Sequence, residues 1–315
     1  MRKIGKRFIH RILYKFLKQH LSFAEWLASI TMNLRYEMPV APTHYYSPLP
    51  DIPSVKENLR RWYKRGSFTG VDFHLDKQKD FLERLVAYKA ECDSLPSYNE
   101  VTAKGYGLGF GEIEAYLLHC IIRHVKPGLF IEVGSGVSTY FTLNAIQMNS
   151  REDNSDAEVI CIEPFPLPKL KELVDKNKVA LLQKEVQDIE IGLFQRLGEN
   201  DILFIDSTHV SKVDSDVNWL YLEVLPNLRK GVLIHIHDIP YPYLTFMPEH
   251  PLFNLSLLWN EAALVKAFLT YNTKFEVLMC QSYLHYESPE SIKKVVRIYD
   301  EQKHFPVSLW LRKIQ

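Results

Sequence analysis

The sequence has few cysteines and no long apolar run, and each absence excludes a class of protein. Four cysteines occur among 315 residues, and they form no C-x-x-C pair. This spacing excludes a disulfide-rich small domain and offers no zinc motif, so we expect reduced thiols and a cytoplasmic protein. No stretch approaches the ~18 uninterrupted apolar residues that a membrane-spanning helix needs.

The sequence also lacks net charge, although its first residues are strongly basic. Lys and Arg together number 38, as do Asp and Glu, so the formal net charge is zero. A nucleic-acid partner is therefore not expected. Residues 1–20 nevertheless contain seven basic residues and no acidic one: Arg2, Lys3, Lys6, Arg7, Arg11, Lys15 and Lys18.

Three zones follow one another along the chain. Residues 1–36 are predicted to be a helical extension, because large apolar residues recur at every fourth position. Residues 37–104 begin with a proline-rich connector and continue with a helical cap, whose helix is predicted over 76–92. Residues 105–315 are predicted to be the main domain.

The main domain alternates short apolar strands with helices. The five predicted strands are 129–131, 159–162, 179–182, 201–206 and 231–238. Short and nearly all-apolar strands between helices are typical of a parallel sheet that is covered on both faces. The segments 275–279 and 307–311 are predicted to add a terminal strand pair.

A glycine turn, Glu132-Val133-Gly134-Ser135-Gly136, closes the first strand, and a helix follows it. Glycines let a ligand approach the backbone, although a plain strand–helix turn can need them too. A dinucleotide site requires G-x-G-x-x-G, but Thr139 stands at the third glycine position. The pattern E-x-G-x-G suits a ligand with a cationic amino-acid end. Glu163, after the second strand, fits the ribose of either ligand.

These residues, with Asp206 after the fourth strand and the late strand pair, resemble the class I S-adenosylmethionine-dependent methyltransferases. Within this class, the sequence most resembles the bacterial branch called methyltransferase domain family 24. This resemblance covers roughly residues 47–315. The segments that carry it are 204–209, 223–226, 231–239, 259–261 and 308–313.

The resemblance implies a Rossmann-like α/β fold with S-adenosyl-L-methionine as cofactor. The implied sheet has the strand order 3-2-1-4-5-7-6, with strand 7 antiparallel and helices on both faces. Cofactor and acceptor would meet at the carboxyl ends of the strands. The residues that the resemblance places at the cofactor are Glu132, Gly134, Ser135, Gly136 and Ser138 for the methionine part, Glu163 for the ribose, Gln187 and Asp188 for the adenine, and Asp206.

Four ionisable residues follow two strands that are neighbours in that order: Asp206, His209, His237 and Asp238. Methyl transfer to a hydroxyl requires removal of its proton, and histidine is the usual general base near neutral pH. We therefore expect His209, His237 and Asp238 to be catalytic. A Mg²⁺ ion on Asp206 and Asp238 stays open but is not favoured, because the sequence has no dense acidic cluster. His235 and His237 belong to the same strand, and one of them is expected to be a hydrogen-bonded residue of the core with no part in catalysis.

The sequence thus predicts a bacterial S-adenosylmethionine-dependent methyltransferase that acts on a hydroxyl of a small molecule, sugar or glycan. Two other functions stay open. One is a nicotinamide-dependent oxidoreductase on the same kind of sheet. The other is a methyltransferase-like protein without activity that binds a partner at a membrane surface, since fold alone does not decide function.

The N-terminal segment has the pattern of a basic amphipathic helix. On a helical wheel, its basic residues gather opposite one apolar side, which consists of Phe8, Ile9, Ile12, Leu13 and Phe16. Such a helix either packs on the protein's own body or on a second subunit, or it lies on an anionic membrane. The membrane hypothesis adds a peripheral contact at the inner membrane face to the cytoplasmic localisation.

The membrane hypothesis predicts that the full chain co-sediments with anionic liposomes at low salt. Each basic residue near such a surface contributes roughly 1 kcal/mol, and salt screens this attraction. A chain that begins at residue 37 should stay in the supernatant. Equal sedimentation of the two chains, or binding that salt does not weaken, would leave the packing helix as the role of residues 1–36.

Overall fold

The structure is a computed structural model that describes residues 50–246 and 259–315. The chain divides into two compact units, residues 1–59 and residues 60–315. The helix predicted for residues 1–36, and with it the membrane contact, lies outside the described residues. The domain boundaries predicted after residues 36 and 104 stay predictions.

The second unit contains a seven-stranded sheet. In chain order, strands β1 to β7 are Leu129–Val133, Glu158–Ile162, Ala180–Leu182, Ile202–Ile205, Leu233–Ile236, Phe275–Cys280 and Leu309–Lys313. Their order across the sheet is β3-β2-β1-β4-β5-β7-β6. Strands β1 to β5 pair in parallel, whereas β7 runs antiparallel to both β5 and β6. The predicted fold class is confirmed, including the antiparallel seventh strand.

Helices within residues 60–315 pack on both faces of this sheet. The helices of both units are numbered together along the chain. In chain order, α1 to α14 are Ile52–Glu57, Leu59–Trp62, Leu75–Leu85, Lys89–Cys92, Tyr98–Val101, Glu112–Val125, Val137–Asp153, Pro168–Asp175, Ile191–Phe194, Asp216–Trp219, Leu225–Asn227, Glu261–Leu269, Gln281–Glu287 and Pro289–Val295. Short 3₁₀ or π turns occupy Val86–Tyr88, Thr102–Tyr106, Val186–Asp188 and Leu220–Val224. Among the described residues, every helix is too short or too polar to cross a lipid bilayer.

Two apolar cores flank the sheet, because successive side chains of each strand point to opposite faces. Phe130 and Phe204 pack in the core that contains α6 and α7. Their strand neighbours Ile131 and Leu203 pack in the other core, with Tyr221 of the turn after α10. Strands β1, β4 and β5 are buried along their whole length. Burial of each such side chain contributes about 1.5–3 kcal/mol, so the sheet is anchored from both sides.

The helix predicted over 76–92 is interrupted in the structure. It consists of α3, the 3₁₀ turn Val86–Tyr88 and α4. The sequence does not predict this change from α-helix to 3₁₀ helix. Over three residues, apolar positions repeating every 3.0 residues and every 3.6 residues give almost the same pattern. After the turn, α4 contacts α6.

Candidate active site

A cluster of charged side chains lies where β4 and β5 end. Asp206 follows β4, and His237 and Asp238 follow β5. His209, in the loop after β4, joins them because its Nε2 lies 3.3 Å from Asp206 Oδ1 and 3.3 Å from Asp238 Oδ2. The structure therefore brings together the four residues that the sequence predicted to converge.

A buried glutamate orients His209 within this cluster. Glu261 begins α12, and its Oε2 lies 2.6 Å from His209 Nδ1. The hydroxyl of Tyr221 donates to Glu261 Oε1 at 2.8 Å. With Nδ1 bound to Glu261, the Nε2 atom is the one that faces Asp206 and Asp238.

His237 is held by a second buried glutamate. Its Nδ1 lies 3.4 Å from Glu114 Oε1, and its Nε2 lies 3.5 Å from Asp238 Oδ1. Glu114 also accepts from the Ser308 hydroxyl at 2.9 Å. His235 is the core histidine of the pair, since it is fully buried and its Nε2 lies 2.8 Å from the same hydroxyl.

The carboxylates keep both histidines of the cluster protonated at neutral pH. Burial opposes the charge of His209, but hydrogen bonds to Asp206 and Glu261 raise its pKa to about 10. Burial also opposes the charge of His237, yet Asp238, Asp206 and a further carboxylate raise its pKa well above the usual value. Conversely, burial raises the pKa of Asp238 to about 6. Both histidines therefore carry a positive charge in this state, and Nε2 of His237 donates to the carbonyl oxygen of Gly109 at 3.3 Å.

The backbone is strained at two residues of the cluster. His209 has φ 60° and Asp238 has φ 57°, in the left-handed region that side chains with a Cβ rarely adopt. Each costs roughly 1–2 kcal/mol, and such strain persists where surrounding contacts determine the geometry, often at functional sites. Both residues also take part in the ion pairs of the cluster.

The glycine turn is organised around Glu132, which is fully buried. The hydroxyls of Ser138 and Thr139 donate to its two carboxylate oxygens at 2.6 and 2.7 Å. Burial raises the pKa of Glu132 to about 7. Glu132 thus ties the end of β1 to the first turn of α7.

A cavity of about 390 Å³, here called the first cavity, opens beyond the ends of β1, β2 and β4. Its lining includes Gly134, Glu163, Phe165, Gln187, Asp206 and Ser207. Gln187 donates to Asp214 O at 3.1 Å, whereas its Oε1 is buried and has no hydrogen-bond partner in the described part of the chain. The first cavity therefore offers carboxylates and an exposed aromatic ring to a ligand, with the amide of Gln187 in its lining.

A larger cavity of about 860 Å³, here called the second cavity, reaches the cluster at His237 and Asp238. Its lining includes Tyr98, Phe110, Glu114, His237, Asp238 and Phe305. Aromatic rings and acids share this lining, so it suits an acceptor with an apolar body and a polar group near Asp238.

Comparison with known proteins agrees with this geometry. A sequence model of the family described as "Methyltransferase domain" matches residues 131–239, from the glycine turn to the end of the cluster. A protein of Archaeoglobus fulgidus, itself uncharacterised, is 30% identical over 169 residues, which are 51% of this chain and 75% of the relative. The chain belongs to the class I S-adenosylmethionine-dependent methyltransferases.

Similarity to solved structures is weaker. The O-methyltransferase TomG of Streptomyces achromogenes, crystallised with SAM, is 14% identical with a TM-score of 0.43. A putative O-methyltransferase of Klebsiella pneumoniae is 13% identical with a TM-score of 0.41. Each match covers 75% of this chain and 90% of the other. The assignment rests instead on the family match, the archaeal relative and the strand order.

Membership in this family makes S-adenosylmethionine, rather than a nicotinamide dinucleotide, the cofactor of this protein. Among the residues expected at the cofactor, Gly134, Glu163, Gln187 and Asp206 line the first cavity of the methyltransferase.

The remaining residues expected at the cofactor lie elsewhere. Ser135 and Gly136 line a separate void of about 10 Å³. Ser138 and Glu132 are buried against each other, and Asp188 is exposed and outside the first cavity. That these five residues contact the cofactor stays a prediction.

Two acids of this methyltransferase were missed as site residues by the sequence reasoning. Glu261 entered only as part of the Trp259-Asn260-Glu261 segment of the family resemblance, and Glu114 was not singled out. A usable signal existed for Glu114, which occupies a largely apolar stretch of α6. An acid in such a stretch is buried only when it is paired.

We predict that Gly134→Ala strongly destabilises the methyltransferase. Gly134 has φ 81°, and a Cβ there would lie 2.1 Å from the carbonyl oxygen of Asp206. Backbone atoms cannot yield, so the free energy of unfolding should fall by about 3 kcal/mol or more. Urea denaturation measures this change.

Gly192→Ala is the matched control, because a Cβ at Gly192 meets nothing within 4 Å and its φ is not in the left-handed region. Its stability should stay the same or rise slightly. Equal stability of the Gly134 variant and the control would show that the glycine turn is not packed against Asp206.

Proposed function

We propose that this methyltransferase transfers a methyl group to a hydroxyl of a small-molecule, sugar or glycan acceptor. The observation that supports this proposal most is the position of the charged cluster between two cavities. Asp206 lines the first cavity, whereas His237 and Asp238 line the second. The cofactor would occupy the first cavity and the acceptor the second.

Side chains of the first cavity match the parts of the cofactor. Two oxygens of Glu163 suit the two ribose hydroxyls. The free Oε1 of Gln187 suits the adenine amino group, which is a donor. Asp206, whose pKa is lowered by the two neighbouring histidines in spite of its burial, offers a negative charge for the cationic methionine end.

Asp238 is the proposed proton acceptor. Because the sulfonium makes the methyl group electrophilic, the protein must align the acceptor oxygen with the sulfur–methyl bond and accept its proton. Asp238 Oδ1 is buried and has no hydrogen-bond partner among the described residues. A pKa of about 6 makes this carboxylate a stronger base than an ordinary aspartate. The protonated His237 beside it cannot take the proton until it loses its own.

The histidine base that the sequence predicted stays a prediction. Between the two candidates, His237 is the one that lines the second cavity, whereas His209 faces the aspartates and Glu261. Deprotonation of His237 would place a neutral imidazole beside the acceptor. The variants Asp238→Asn and His237→Ala, described below, test the aspartate base and the histidine base.

A divalent metal ion is the second candidate for activating the hydroxyl. Asp206, His209 and Asp238 each offer one ligand atom, and these atoms lie within 4.8 Å of one another. The contact of Glu261 with the other ring nitrogen of His209 is the arrangement common around metal-bound histidines. The residues therefore fit an ion, with His209 added to the two aspartates expected from the sequence. Such an ion would lower the pKa of the acceptor hydroxyl.

Glu163→Ala should weaken S-adenosylmethionine binding, because it removes the proposed ribose acceptor. Loss of hydrogen bonds to a charged group costs ~1.5–3 kcal/mol, so Kd should rise about 10-fold to 150-fold. Isothermal titration calorimetry gives Kd. Glu190→Ala, which removes an exposed acid outside the first cavity, should bind like the unmodified chain. Unchanged affinity of the Glu163 variant would remove this residue from the site.

Asp238→Asn should keep cofactor affinity nearly intact and lower turnover by about 100-fold or more, as expected for a lost base. Turnover of the unmodified chain should rise as pH rises through about 6, because only the ionised Asp238 accepts a proton. This rise should be absent from the variant. The assay follows labelled methyl transfer to a hydroxyl compound found by an acceptor screen. His237→Ala is measured as the variant of the other candidate base, and the exposed Asp175→Asn is the matched control.

A chelator separates the two versions of this chemistry. Activity that survives EDTA supports proton removal by the protein alone. Complete loss that Mg²⁺ or another divalent ion restores would instead make Asp206, His209 and Asp238 metal ligands. Tight cofactor binding with no turnover on any acceptor would favour the non-catalytic alternative.

A further inference from the structure

Two cysteines that are distant in sequence lie side by side behind the sheet. Cys92 ends α4, and Cys120 lies in the middle of α6, 28 residues further along the chain. Their sulfur atoms are 2.8 Å apart, and both side chains are buried. Both are thiols in this structure. The separation is less than 1 Å longer than an S–S bond of ~2.05 Å, so little movement would join the two sulfurs.

Ion pairs beside the cysteines fix this alignment. Glu91 precedes Cys92, and its Oε2 lies 3.0 Å from Nε2 of His119, the residue before Cys120. Arg123, one helical turn after Cys120, donates from Nε to Glu91 Oε2 at 2.8 Å and from Nη2 to Glu91 Oε1 at 3.1 Å. Since Arg123 and His119 are almost fully buried, these contacts hold α4 and α6 in register.

We propose that Cys92 and Cys120 form a redox modification site that closes to a disulfide with a peroxide as oxidant. The other two cysteines have different surroundings: Cys161 Sγ lies 3.4 Å from Glu132 Oε2, and Cys280 lies at the end of β6. The closed bond would join the helical segment before the sheet to α6 covalently.

The reaction has two balanced steps. One sulfur attacks an oxygen of hydrogen peroxide, the O–O bond breaks, and the departing hydroxide leaves as water with the thiol proton. The product is a sulfenic acid. The second sulfur then attacks the sulfenic sulfur, the S–S bond forms, and the sulfenic hydroxyl leaves as water with the second thiol proton. The two thiols lose two electrons and two protons, and one peroxide becomes two waters.

The reaction should be slow and the product stable. The hydrogen bond with Cys92, together with burial, raises the pKa of Cys120 well above its usual value, so little thiolate forms. Closure of a 28-residue segment restricts the unfolded chain and thereby stabilises the folded one. The oxidised protein should therefore unfold at a higher temperature than the reduced one.

Peptide mapping of the full chain tests the proposal. The protein is treated with hydrogen peroxide for hours, denatured in iodoacetamide, digested and analysed by mass spectrometry. We expect a linked peptide that contains Cys92 and Cys120, with Cys161 and Cys280 alkylated. Tm should rise by about 5 °C or more and return to its reduced value after treatment with dithiothreitol.

Two variants serve as a matched pair. Cys92→Ser should lose the linked peptide and the rise in Tm, whereas Cys280→Ser should keep both. The unmodified chain alone decides the question if a variant fails to fold. Alkylation of all four cysteines after peroxide treatment, a link between another pair, or oxidation of Cys92 or Cys120 to sulfinic acid without a link would overturn the proposal.

Discussion

The contact of protonated His209 with the half-buried Asp206 and the buried Asp238 is the constraint on which the rest of the site depends. A buried charge is tolerated only when it is paired, and His209 is paired with Asp206 and Asp238 on one ring nitrogen and with Glu261 on the other. These partners come from three places in the chain: the end of β4, the end of β5 and the start of α12. Loss of one partner would leave uncompensated charge on the others, so the cluster fixes the three elements together.

The same constraint links the charged cluster to the glycine turn. Gly134 passes so close to the carbonyl of Asp206 that a side chain has no room there, and Asp206 N donates to Val133 O at 2.9 Å. The end of β1 and the end of β4 are thus one packed unit. A cofactor in the first cavity would lie over this unit, with Asp206 at the boundary toward the cluster. The second cavity reaches the cluster through His237 and Asp238. Methyl transfer requires the acceptor oxygen to lie in line with the sulfur–methyl bond, so the two bound molecules would have to meet at this cluster.

The sequence predicted the elements of the fold well, because the signals for them are local. Apolar runs and the glycine turn each act over a few residues, and the family resemblance supplied the strand order. The convergence of Asp206 and Asp238 also followed, since both stand at the ends of strands that are neighbours in that order.

The sequence did not predict which glutamates would pair with His209 and His237. Glu261 is 52 residues from His209, and Glu114 is more than a hundred residues from His237. Such contacts exist only after the chain has folded, and no local pattern encodes them. Ser138 shows a different limit: it lies in the first turn of α7, but the direction of its hydroxyl depends on the buried Glu132, which the sequence does not reveal. The pairing of Cys92 with Cys120 escaped for the same reason, because α4 and α6 meet only in the folded chain.

A crystal structure of the protein with S-adenosylhomocysteine, the demethylated cofactor, measures the central claim most directly. The nucleoside should lie in the first cavity, with its ribose at Glu163 and its adenine at Gln187. Its sulfur should then point past Asp206 toward Asp238 and the second cavity. A nucleoside bound outside the first cavity, or a sulfur separated from Asp238 by packed protein atoms, would contradict the assignment of the charged cluster as the place of methyl transfer.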